Sequence, residues 1–107
     1  MKPYDLHIAF VSWGTDGKTR PVVILSLTSA KVTALGITSQ YDNKSTTVRT
    51  KYLPIHDWKQ AGLHKPSYID IGNRVVLPLK NVYSPNIGKL SEKDIMSLLE
   101  AIETVEE

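Results

Sequence analysis

Cysteine is absent from this chain of 107 residues, which excludes a disulfide framework and any Cys-ligated zinc site and leaves the redox compartment undecided. Histidine is scarce as well. His7, His56 and His64 lie far apart without the paired spacing of metal ligands, so each reads as a structural or surface residue and no metal or other cofactor is expected. Long apolar runs are also missing. The stretch Leu6 to Val11 is interrupted by His7, is too short to span a membrane and carries no signal-peptide cleavage pattern, so a cytoplasmic protein is expected. No repeat, low-complexity tract or linker divides the chain, and its length is too small for two cores, which predicts one domain over residues 1–107.

What is present is ordinary in bulk and uneven in arrangement. Hydrophobic residues at 41% and charged residues at 22% are the proportions of a soluble globular protein. The net charge of +2 conceals a division: residues 1–90 carry twelve Lys and Arg against five acids, and residues 91–107 carry one Lys against six acids. A body at +7 with a terminal segment at −5 suits a polyanion or an acidic protein partner on one face, although a solvated acidic helix accounts equally for the tail.

The apolar pattern is mostly of period two. Leu6 to Trp13 reads as a strand apolar on both faces and therefore central; Val22 to Leu27 is a second strand, and the Thr28-Ser29-Ala30 turn leads to a third from Lys31 to Ile37. Thr46 to Leu53 alternates β-formers with Arg49 and Lys51, as a strand with one wet face does. Tyr68 to Ile71 and Val75 to Val82 are shorter candidates separated by a Gly72-Asn73 turn signal. Ser91 is placed to cap a helix with Glu92 and Asp94 in its first turn, and Ile95, Leu98, Leu99 and Ile102 follow at helical spacing. Five to seven short strands closed by a C-terminal helix predict a mainly β fold, a small SH3-like β-barrel.

One short stretch carries chemistry. In Asp16-Gly17-Lys18-Thr19-Arg20-Pro21-Val22-Val23-Ile24-Leu25, proline fixes its own φ and restricts the residue before it, so Arg20 is held at the end of a loop, on a stiff base at the rim of a buried strand. On spacing alone it reads as a solvated arginine beside a strand.

That stretch resembles the loop-then-RPV strand of the PemK/MazF toxin endoribonucleases of toxin–antitoxin systems. Gly36-Ile37-Thr38-Ser39 resembles the I-T-S ending of that family's third strand, Gly62-Leu63-His64-Lys65-Pro66-Ser67-Tyr68-Ile69 the segment opening its later strands, and Ile87-Gly88-Lys89-Leu90-Ser91 its I-G-x-L-S helix entry. The four occur in the family's order and span about residues 5–102. The resemblance implies an SH3-like homodimer that cuts single-stranded mRNA at preferred sequences without a metal and is inhibited by an antitoxin protein. It puts Arg20 and Thr38 at the catalytic arginine and threonine.

Other contacts follow less directly. Asp16 is the one acid in the short loop Gly14 to Thr19, which gates RNA entry in the family. Lys18, Lys44, Arg49 and Lys51 are candidates to follow phosphates, Trp13 to stack on a base or to sit in the core or a dimer interface, and Ser39 and Gln40 to hold a phosphate, read a base edge or merely cap the strand. The chain departs from the family in having Tyr4-Asp5 in place of Gly-Asp, and in lacking an acid near Gly72, with Asp70 two residues earlier instead. That second departure leaves the general base unnamed and keeps open the alternative of a catalytically weak nucleic-acid or protein binding module. A toxin directed at a protein such as DNA gyrase is disfavoured, having no need of the RPV and I-T-S elements.

Overall fold

The computed structural model describes residues 1–13, 15–39 and 51–106. Six antiparallel strands form one curled sheet with one helix after them: β1 (Asp5–Trp13), β2 (Asp16–Leu27), β3 (Lys31–Thr38), β4 (Tyr52–Pro54), β5 (Tyr68–Pro78), β6 (Gly88–Lys89) and α1 (Glu92–Glu106). Their order across the sheet is β4-β5-β3-β2-β1-β6, the half-barrel that the alternating pattern predicts.

Both faces of the central strands are buried, as the doubly apolar β1 requires. On one face Leu6, Val23, Leu35, Ile37 and Ile69 pack with Leu98 of α1; on the other Ala9, Val11, Val22, Ile24, Val32, Ala34, Leu77 and Val82 form a second cluster. Leu99 does not join the helical stripe and is 46% exposed. Ile95, Leu98 and Ile102 already fill the seam, and Leu99 projects about 100° further round the helix than Leu98.

Two glycines expected in turns lie within strands. β2 begins at Asp16, not Val22, and Asp16 to Thr19 pair with Trp13 to Phe10, so this segment is strand ladder where a loop is expected. Gly17 is the seat of an aromatic ring, since a Cβ there would stand 2.5 Å from Phe10 Cζ. Likewise Gly72-Asn73 makes no turn between two strands. β5 runs through it, and the register with β3 jumps from Leu35–Arg74 to Ile37–Ile69, an extended bulge opposite Gly36. After Pro78 the chain leaves the sheet in a 3₁₀ turn, Leu79–Asn81, so Val82 meets Ala9 only as an isolated bridge. β3 continues to Thr38; of the expected strand at 46–53, Tyr52 and Leu53 pair within β4 and Lys51 O accepts from Ile71 N at 3.0 Å, while residues 46–50, with Lys44 and Gln40, lie outside the described residues.

At Tyr4 the backbone takes φ 71°, the left-handed conformation that glycine adopts most easily. The turn is thus of glycine type despite the tyrosine. Tyr4 N donates to Ile24 O at 2.7 Å, Leu90 N donates to Tyr4 O at 3.0 Å, and the ring packs on the core, which together hold the unfavourable φ.

Candidate active site

The site originates in a proline. The β2–β3 ladder ends at Val22–Gly36, one residue short of Pro21, which has no N–H to continue it. Beyond that point β2 stays with β1 while Ile37 and Thr38 stay with Ile69 and Tyr68 of β5, so the two strands part. A cleft of about 700 Å³ opens between them. Arg20 of β2 and Thr38 of β3 both line this cleft, one on each of the two strands that part.

Each is held by its strand. Arg20 pairs with the fully buried Ala9, and its side chain runs over Gly36, where a Cβ would lie 3.7 Å from Nη1 and 3.8 Å from Cδ. Thr38 pairs with Tyr68 at the end of β3. Beside them Tyr52 of β4 stands opposite Asp70 of β5, and both line the cleft. Burial pushes the Tyr52 hydroxyl above its ordinary range, and the Asp70 charge adds to this while that of Arg20 opposes it. Tyr52 therefore feels both charges and stays a protonated hydrogen-bond donor at neutral pH.

The remaining wall is the segment after β4. Asp94, 2% exposed in the first turn of α1, accepts from His56 N and Asp57 N, both at 2.9 Å, while Asp94 N donates to Ser91 Oγ at 3.2 Å as the cap. Gly62 follows at φ 92°, and a Cβ there would stand 1.9 Å from Ile87 O, so the backbones of the loop and of the β6 approach are in direct contact. This seats Leu63, His64 and Lys65 on the cleft.

Of the residues singled out from sequence, Lys18, Arg20, Thr38, Ser39 and Asp70 come together here. Asp16 does not: it is exposed at the start of β2, paired with Trp13, four residues along the strand from Arg20. The side chain of Trp13, and Gln40, Lys44 and Arg49 entirely, lie outside the described residues, and Lys51 packs beside Gly72 in the bulge, not on the cleft. Tyr52, His64 and Lys65 are additions. His64 and Lys65 lie within the motif at 62–69 with no role attached to them, and Tyr52 is a tyrosine at the end of an alternating run. The cleft carries Lys18, Arg20 and Lys65 against Asp70, a positive balance suited to a polyanion. Among the described residues no cluster of His, Asp or Glu is arranged to hold a metal ion.

No protein-family model and no curated protein matches the chain. Solved structures do. The Mycobacterium tuberculosis toxin MazF-mt6 is 25% identical over 94% of each chain with a TM-score of 0.72. An endoribonuclease solved in complex with its cognate antitoxin, from a mycobacterial species, is 13% identical over 96% of this chain and 91% of its own, with a TM-score of 0.70, a likeness of fold.

Proposed function

We propose that this MazF/PemK-like chain is the toxin of a toxin–antitoxin pair, an endoribonuclease that cuts single-stranded mRNA. One observation carries the reading: Arg20 and Thr38 line the same basic cleft, which opens where Pro21 ends the ladder.

The chemistry follows from what each group can do. Attack of a ribose 2′-oxygen on the neighbouring phosphorus builds negative charge on the phosphoryl oxygens. Arg20, a fixed planar cation with several donors, neutralises that charge, and the Thr38 hydroxyl donates a further hydrogen bond from the facing strand. One such preorganised donor is worth roughly 3 to 4 kcal/mol of barrier. The products are a 2′,3′-cyclic phosphate and a 5′-hydroxyl, and no step calls for a metal. Asp70 lines the cleft with Tyr52, which supports an enzyme over a binding module that has no carboxylate at the site. The reading further includes a homodimer, action in the cytoplasm, and an antitoxin whose acidic tail occupies the basic cleft.

Purified protein incubated with a long single-stranded RNA in EDTA tests it. Cuts with 2′,3′-cyclic phosphate ends are expected, slowed about 10² to 10³-fold in Arg20→Ala and weakened in Thr38→Ala while both variants stay folded. Undiminished cleavage by Arg20→Ala would sink the assignment.

A further inference from the structure

We propose that His64 is the general base of this cleft, the group that takes the proton from the attacking 2′-hydroxyl. The proposal rests on the endoribonuclease reading and supplies the role that Arg20 and Thr38 leave vacant.

Neither of those residues can accept a proton at neutral pH, because a guanidinium is permanently protonated and a threonine hydroxyl is a very weak base. The other groups facing the cleft do not fill the role. Lys18 on β2 and Lys65 beside His64 present ammonium donors, and Tyr52 on β4 is held protonated by burial. Asp70 on β5 stands opposite Tyr52, near enough for its charge to be felt at that hydroxyl alongside that of Arg20, and its part here is to face those two donors. His64 alone among the described cleft residues carries an imidazole, the side chain whose ordinary change of charge falls near neutrality. The other two histidines are engaged elsewhere. His7 is 3% exposed with Nδ1 2.8 Å from Tyr83 O, and His56 Nδ1 lies 3.3 Å from Asp94 Oδ1.

His64 is exposed to the cleft, yet its backbone is pinned on both sides. Before it, Gly62 abuts Ile87 O, a Cβ on Gly88 would stand 2.1 Å from Ala61 O, and Leu63 N donates to Trp58 O at 3.0 Å. After it, Ser67, 5% exposed, donates from Oγ to Lys65 O at 2.9 Å, while Ile55 N donates to Ser67 O at 3.0 Å. A histidine on a free loop would sample many positions; this one is anchored within three residues on either side, which is the condition for positioned proton transfer.

In the step, the neutral imidazole takes the 2′-hydroxyl proton as the O2′–P bond forms and the P–O5′ bond breaks. The departing 5′-oxygen takes a proton from water, and the imidazolium returns its proton to the hydroxide left behind. Atoms and charge balance and the ring is regenerated.

Single-turnover cleavage of a mixed-sequence single-stranded RNA in EDTA, followed from about pH 5 to 8, tests this with the full chain. The wild type should gain rate with pH along a limb of one proton. His64→Gln should lose about 10² to 10⁴-fold in rate and lose that limb, with an unchanged melting temperature. Imidazole added to His64→Gly should restore part of the rate, which a structural role would not allow. A substrate with a 5′-bridging sulfur needs no proton at its leaving atom, so the His64→Gln defect should persist on it; disappearance of the defect there would overturn the assignment as base. His64→Gln cleaving at the wild-type rate with the same pH profile, beside an inactive Arg20→Ala, overturns the inference and leaves the nuclease standing. No cleavage by the wild type overturns both.

Discussion

Tyr52 shows how a single residue reports on this cleft. Its hydroxyl is pushed above the ordinary value of 10.0 by burial first and by Asp70 second, against the pull of Arg20. The folded protein thus holds the proton more tightly than the unfolded chain, so the stabilisation is complete below that value and is lost as pH rises through the raised one. Tyr52→Phe should therefore show a melting temperature that declines less steeply on the alkaline side than that of the wild type; parallel curves would mean that the hydroxyl does not feel this environment. Residue-scale roles of this kind are hard to read in one dimension. Arg20 was singled out because Pro21 follows it and the motif surrounds it, whereas His64 sits in a motif with no role marked and Tyr52 carries no local mark, and Asp16, the one acid near Arg20 in the chain, stands away from the cleft.

Among the elements, the segment from β4 to β5 has almost no regular structure and depends on a few fixed points. Asp94 is the main one. It lies three residues into the cap of α1, where an acid suits the helix dipole, and it also satisfies two backbone N–H groups of the loop. Asp94→Ala should destabilise the fold by about 1–3 kcal/mol for each donor left unpaired, read as a lower urea midpoint, and Asp94→Asn, which keeps one acceptor oxygen, should lose less. Equal losses would show that charge at the helix start, not the loop, is what Asp94 serves. The S-x-x-D signature announced the cap, but not that the same carboxylate fastens a loop nearly forty residues earlier. Glycine misled in the same manner: Gly17 belongs to an expected loop and Gly72 to a turn signal, yet one seats the Phe10 ring and the other lies in a bulge, because both functions need a missing side chain as much as a turn does.

For the molecule as a whole, charge and shape divide the labour. The +7 body supplies the cations of the cleft, and among the described residues none of the acidic α1 lines it. With Lys18, Arg20 and Lys65 each meeting a phosphate, binding of single-stranded RNA should weaken with salt at a slope of roughly −2 in log affinity against log concentration, and Lys18→Ala should reduce the slope by about 0.7. A slope unchanged in Lys18→Ala would place the RNA elsewhere. Titration of a fluorescent oligonucleotide at several salt concentrations measures both.

The amino-acid order by itself determined that the fold is mainly β with a capped terminal helix, since period-two and period-3.6 burial are local properties of the chain. It also singled out Arg20 and Thr38, through short motifs that survive in one dimension. Only the tertiary structure decided that these two line one cleft, because that depends on where a ladder between separate strands stops. It also brought Tyr52, Asp70 and His64 to the same opening. Those residues come from the stretch 52–70, well separated in sequence from Arg20 and Thr38, and their meeting with them is set by sheet register, a bulge opposite Gly36 and the contact of Gly62 with Ile87, none of which has a local signature.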